Sequence, residues 1–245
     1  MVSGLFDGRT LGEEFNRRET CPLIRLNLIV EGPTELGFID KVLKPYLAQK
    51  NIFVSARCVE TSRNRRANKI YRGGLSTYLK VRSDLLRWIK EDQNVGVYFS
   101  TMFDLYALPS NFPRFEEAHR LKDKYRLVEE LELGFSADVA ERRFLPYIQL
   151  HEFEALLLCD PGKLGDFFIG QEQAIGKISS QVNKFSTPEL INLDLPPSKL
   201  IMDKIPEYGY QKASAGPIVG GKIGIELMRR KCQHFDSWLN KIENL

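Results

Sequence analysis

The chain has 245 residues, 43% of them hydrophobic and 27% charged, with a formal net charge of +3. That is enough apolar sequence to bury a sizeable core, in one large domain or a domain with a substantial appendage, and it reads as a soluble globular protein. No apolar run is long enough to cross a bilayer, no continuous apolar leader opens the chain, and Cys21, Cys58, Cys159 and Cys232 are scattered without metal-ligand spacing, so a cytosolic protein with reduced thiols and no membrane role is expected.

Residues 1–22 are polar, contain Gly4 and Gly8 and show little periodicity, so they read as an N-terminal arm. A first βα unit follows, with a strand near 25–31 and a helix near 35–49. There Phe38, Ile39, Val42, Leu43 and Tyr46 recur at helical spacing, and Thr34 is placed to cap. A second strand is expected over 52–59. Next come a helix over 75–91, with an apolar face of Leu75, Tyr78, Leu79, Leu85, Leu86 and Ile89, and a third strand over 95–103. Pro109 and Pro113 mark a loop before charged helical sequence near 114–133, a strand over 144–150 and a helix opening near His151. This alternation predicts an α/β fold, a mainly parallel central sheet with helices on both faces. From Pro161 onward the strand signal fades, which predicts a helical C-terminal region ending in an amphipathic helix built on Phe235, Trp238, Leu239 and Ile242. The expected division is an arm at 1–22, an α/β domain at 23–160 and a helical region at 161–245.

Three of the expected strands end on acids. The run Leu26 to Val30 stops at Glu31, with Gly32 for a tight turn into a helix; Val95 to Phe103 stops at Asp104; Phe144 to Leu150 stops at His151, Glu152, Phe153 and Glu154. If the strands are parallel neighbours, these acids share one edge, where open α/β sheets keep their ligand sites. Converging carboxylates attract a hard divalent cation such as Mg²⁺, which prefers oxygen ligands and retained waters. Each acid also has a plain structural reading: a cap or ion pair for Glu31, a complement to the helix N-terminus for Glu35, an Asx turn before Pro109 for Asp104. On a helix, His151 and Glu154 share a face, whereas Glu152 and Glu154 point to nearly opposite sides. His151 reads as a general base, a phosphate contact or a buried hydrogen-bonding residue, and His234, beside Phe235 and Trp238, as structural.

The charge is uneven. Between Arg57 and Lys90 there are ten Lys or Arg residues against Glu60 and Asp84. Arg63, Arg65, Arg66, Lys69 and Arg72 fall in a polar segment with Gly73 and Gly74, which reads as an exposed loop able to hold a phosphate backbone, or as a solvated face. Gly32, Pro33 and Thr34 lack the glycine spacing and Lys of an ATP-binding P-loop, and no Gly-x-Ser-x-Gly elbow is present for acyl transfer.

Three strings carry a family resemblance: Val-Glu-Gly-Pro-Thr-Glu from Val30, Ser-Thr-Met-Phe-Asp-Leu-Tyr-Ala-Leu-Pro from Ser100, and Pro-Tyr-Ile-Gln-Leu-His-Glu-Phe-Glu-Ala-Leu-Leu from Pro146. They look like the bacterial domain-of-unknown-function family 4276 (DUF4276), taken as TOPRIM-related. A strand ending in Glu-Gly, then a helix, then a strand ending in Asp resembles the TOPRIM domain of topoisomerases, primases and overcoming-lysogenization-defect nucleases. The resemblance runs from about Arg25 to the Cys232 to Trp238 segment. It implies a TOPRIM-like fold and a Mg²⁺ or Mn²⁺ site on Glu31 and Asp104, completed by a late glutamate, Glu154 in preference to Glu152. One position departs from the usual Asp-x-Asp motif, because Tyr106 stands where the second aspartate would be.

Two functions are expected from this. The first is a metal-dependent nuclease on DNA or RNA, with Glu31, Asp104, His151 and Glu154 as catalytic groups and the basic segment on the backbone. The resemblance places such a protein beside an ABC- or AAA-type ATPase as an effector in defence against phage. The alternative is a non-catalytic subunit or releasable toxin docked on that ATPase, which the Tyr106 departure favours. A homo-oligomer is compatible with either.

Overall fold

The computed structural model of the chain describes residues 23–64, 69–72, 75, 77–191 and 196–245. The expected arm at 1–22 lies outside the described residues. In chain order the strands are β1 (Ile24–Val30), β2 (Ile52–Cys58), an antiparallel hairpin of β3 (Glu60–Asn64) and β4 (Lys69–Arg72), then β5 (Val97–Asp104), β6 (Phe144–Leu145) and β7 (Ile148–Gln149). The main sheet is parallel, in the order β2-β1-β5-β6, with β7 also on β5.

Helix α1 (Pro33–Phe38) runs through a π-helical turn (Ile39–Leu43) into α2 (Lys44–Ala48). After it come α3 (Tyr78–Glu91), α4 (Phe115–His119), α5 (Lys124–Val139), α6 (Glu154–Leu157), α7 (Glu172–Val182), α8 (Pro197–Lys204), α9 (Tyr208–Ile223), α10 (Ile225–Lys231) and α11 (Gln233–Glu243). Helices therefore cover both faces. Leu26, Leu28, Val30 and Met102 point into one core with α1, α2 and the C-terminal helices, whereas Ile29, Phe99 and Phe103 point into another with α3 and α5. A strand buried on both faces reads as a continuous apolar run, which is why β1 and β5 stand out in the sequence. Edge strand β2 alternates instead, leaving Phe53 and Ser55 exposed.

The chain passes from β1 outward to β2, then back across β1 to β5. Strand order thus reverses between β1 and β5, and the crevice beyond their C-terminal ends is the topological switch point.

Several expected elements differ in detail. The helix expected near 114–133 is two helices, α4 and α5, the second reaching Val139. Leu79 is exposed on α3, and Val81 is buried instead. The strand expected over 144–150 is two short pieces. Pro146 has no N–H for a ladder, and the Thr101 hydroxyl bridges the gap, 3.0 Å from both the N–H and the C=O of Tyr147. The basic segment expected as an open loop contains the β3-β4 hairpin, which carries Arg63, Lys69 and Arg72.

The C-terminal helices cover the first face through a buried polar and aromatic seam. Phe235, Trp238, Leu239 and Ile242 are buried as the periodicity predicts. The Trp238 indole donates to Ser100 Oγ at 2.9 Å, and the Tyr147 ring stacks with both His234 and Trp238. His234 is structural, its Nε2 lying 2.9 Å from Glu132. The N-terminus of α11 is capped from a distance: Glu189 accepts the backbone N–H of His234 and of Phe235, each at 3.0 Å.

Candidate functional site

Glu31 follows β1 directly and Asp104 ends β5, and Val30 lies opposite Met102 in the ladder. The two acids therefore leave neighbouring strands side by side at the switch point. They open a cavity of about 460 Å³ lined by Glu31 to Glu35, Asp104, Tyr106, Ala107, Glu152, Glu154 and Lys212. Five carboxylates share it.

Four of the five are anchored through one oxygen each. Glu35 accepts the Gly32 N–H at 2.9 Å, Asp104 accepts the Phe153 N–H at 2.9 Å, and Glu152 accepts the Ser198 N–H at 2.8 Å at the start of α8. Glu154 Oε1 takes the Tyr208 hydroxyl at 3.0 Å and lies 3.0 Å from Lys212 Nζ, both from α9. Glu31 differs: its Oε2 is buried with no hydrogen-bond partner among the described residues.

The crowding shows in the acidities. Burial, then the charge of Glu35, raises Glu31 from the usual 4.5 to about 7, against a backbone hydrogen bond from Asp104. Burial and the charges of Glu35 and Glu31 lift Asp104 well above the usual range. Glu35 is raised as well, chiefly by burial. A positive charge inside the cleft would relieve all three.

Local geometry corrects several sequence expectations. The helix opens at Glu154, not near His151, which takes a left-handed φ of +62°. The helical argument therefore fails, and Glu152 and Glu154 both line the cleft. His151 does not line it; its ring is buried behind Tyr106, with Nδ1 2.9 Å from the Tyr106 hydroxyl. Burial, then nearby Lys124, lowers His151 to about 4, so the imidazole is neutral at physiological pH and is poorly placed as a general base in the cleft. Thr34 is not the helix cap: Gly32 occupies that position and Glu35 takes its N–H. Gly32 is in extended backbone at φ −151°, and its value is room, because a Cβ there would lie 3.2 Å from Glu35 Oε2. Asp104 reaches across to Phe153 instead of closing a local turn.

Lys212 reaches the cleft, and buried Tyr208 reaches Glu154, because α9 packs closely on α1. A Cβ at Gly216 would lie 2.7 Å from Thr34 Cγ2 and 3.1 Å from Phe153 Cε1, and one at Gly37 would lie 2.7 Å from Pro217. Gly216→Ala is expected to destabilise the protein by about 1–2 kcal/mol, because overpacking against these buried neighbours outweighs the roughly 1 kcal/mol that Ala gains in a helix. A chemical denaturation midpoint equal to or above that of the unaltered protein would contradict this contact.

Matching over residues 30–243 is the family described as "Domain of unknown function (DUF4276)". The chain belongs to this family. No curated protein and no solved structure matches it. The DUF4276 match runs from the last residue of β1 to the end of α11, so the cleft and the helices that complete it fall within one family unit.

Within this DUF4276 chain, Lys212, Tyr208 and Ser198 escaped the sequence reading. Tyr208 and Lys212 stand four apart, on one helical face, but nothing in the sequence says which face meets Glu154. Arg63, Lys69 and Arg72 sit on the hairpin that follows β2, and Arg65 and Arg66 lie outside the described residues. Since β2 is parallel to β1 and Val30 pairs with Cys58, the hairpin leaves the sheet at the same edge as Glu31. No helix among the described residues is long and apolar enough to cross a membrane.

The donor set suits a hard cation. Among the described residues no three Asp, Glu, His or Cys side chains are already gathered into a metal-holding group, which argues against an all-protein cage. Mg²⁺ asks for less, one or two direct carboxylates with waters completing its octahedron. Glu31 Oε2, buried and without a partner among the described residues, would fit as such an oxygen beside Asp104.

Proposed function

We propose that the cleft is the divalent-metal site of a phosphodiester nuclease acting on DNA or RNA. The observation that carries this reading is the unpartnered Glu31 oxygen among carboxylates of raised pKa at the switch point. Glu31 and Asp104 would hold Mg²⁺ or Mn²⁺ directly, with waters completing its octahedron and Glu152 and Glu154, which line the same cleft, facing it through those waters. The cation, when bound, supplies Lewis acidity and a more acidic bound water. Lys212 holds Glu154 in place, and Ser198 at the start of α8 holds Glu152. The Glu-Gly strand end beside an Asp strand end supports a TOPRIM relationship, with Glu152 or Glu154 standing in for the absent second aspartate. The reading extends to an ABC- or AAA-type ATPase partner and a role in phage defence.

A panel of single- and double-stranded DNA and RNA incubated with Mg²⁺ or Mn²⁺ tests it. Cleavage that chelation abolishes is the expected result; no cleavage of any substrate, with the ATPase present, would remove the reading. The basic segment has its own test. Exchanging Arg63, Arg65 and Arg66 together for Ala should weaken nucleic-acid affinity and flatten its dependence on log salt by about 0.7–0.9 per lost phosphate contact. Unchanged affinity and slope would return the segment to a solvated face.

A second reading is a non-catalytic subunit or toxin docked on the ATPase. Tyr106 at the second aspartate position and the lack of a gathered three-ligand group among the described residues favour it. In that case the cleft binds a cation without turnover.

A further inference from the structure

Tyr106 lines the carboxylate cleft with its ring half exposed, and the protein holds it there with some care. Its hydroxyl is 2.9 Å from His151 Nδ1, its backbone N–H donates to the His151 carbonyl at 3.2 Å, and the two rings tilt together with centroids 5.2 Å apart. His151 is 1% exposed, and its Nε2 is buried without a partner among the described residues. A non-glycine residue at φ +62° is uncommon, and backbone strain of this kind gathers at functional sites.

The unpartnered Nε2 decides where the imidazole proton sits. With the proton on Nε2, a buried N–H has no acceptor, and Tyr106 must donate its own proton to Nδ1. With the proton on Nδ1, the imidazole donates to the phenolic oxygen, Nε2 keeps only a bare lone pair, and the Tyr106 proton is free to turn into the cleft. Buried N–H groups are left unmet more rarely than buried acceptors, which favours the Nδ1–H form. We propose that Tyr106 donates a hydrogen bond to a phosphate oxygen in the cleft, with His151 the positioning residue whose Nδ1–H tautomer aims that proton. The assignment rests on the phosphodiester reading of the same site. It also gives a role to the tyrosine at the expected aspartate position: an anionic oxygen entering a cleft of five carboxylates needs a hydrogen-bond donor, and Lys212 is already engaged by Glu154.

Two measurements on the full chain test the pair. With isotope-labelled histidine, the ring nitrogens of His151, assigned by the signal missing from His151→Asn, should show the Nδ1–H tautomer. Titration with inorganic phosphate in the presence of Mg²⁺, followed by NMR, should show Tyr106→Phe binding about fivefold more weakly than the unaltered protein, the usual scale for one hydrogen bond. An Nε2–H tautomer, equal affinities, or no phosphate binding by either protein would overturn the proposal. A protein that binds phosphate through Tyr106 yet cleaves nothing would remove the nuclease reading and leave this one standing.

Discussion

Replacing Glu31 by Gln is expected to lower Mg²⁺-dependent cleavage at least about 10²-fold, the scale of losing a group that holds the charge-stabilising centre of a reaction. The substitution keeps the size of the side chain and removes its charge. Among the described residues Glu31 is the cleft acid with a buried oxygen that no group satisfies, which suits it to bind what enters the cleft. Its loss should fall on kcat, with nucleic-acid affinity retained through the basic segment. Equal effects on affinity and turnover would point to a general loss of the site, and unchanged turnover would exclude Glu31 from the chemistry.

Stability should move in the opposite direction. Glu31 is raised from the usual 4.5 to about 7, so between those values the folded chain keeps a proton that the unfolded chain has lost. The folded state binds more protons, and stability therefore falls as pH rises through this window. Asp104 and Glu35 are shifted in the same direction and add to the slope. His151, lowered to about 4, acts the other way below its usual 6.5, so metal-free protein should lose stability as pH rises from about 6.5 to 8. Glu31→Gln should be the more stable protein at pH 8, by on the order of 1–3 kcal/mol after allowance for partial exposure and coupling. Mg²⁺ should raise the unfolding midpoint of the unaltered protein at pH 8 and do little at pH 5, where protons compete for the same oxygens. A midpoint that does not change with pH, or a Glu31→Gln protein less stable at pH 8, would show that the cleft carries no such repulsion.

Much of this arrangement is legible in the sequence, for reasons that differ by residue. Glu31 and Asp104 stand out because β1 and β5 are buried on both faces and read as apolar runs, so an acid at the end of either is conspicuous. Parallel order then brings the two together, and α11 is equally plain from the spacing of Phe235, Trp238, Leu239 and Ile242. The segment from Pro146 to Glu154 is not legible in the same way. Thr101 replaces a ladder partner at Tyr147, and the left-handed His151 swings Glu152 and Glu154 toward one cleft; both depend on neighbours remote in sequence. Lys212 is hidden for a related reason, since its arrival at Glu154 depends on Gly216 and Gly37 allowing α9 to close on α1.

The most direct test of the cation site is a Mn²⁺ titration of the metal-free protein at pH 8, read by the loss of the free-ion paramagnetic resonance signal, for the unaltered chain and for Glu31→Gln. One bound Mn²⁺ per chain, displaced by Mg²⁺ and weakened at least about tenfold in Glu31→Gln, is the result this cleft predicts. No binding by the unaltered chain, or equal binding by both proteins, would contradict it.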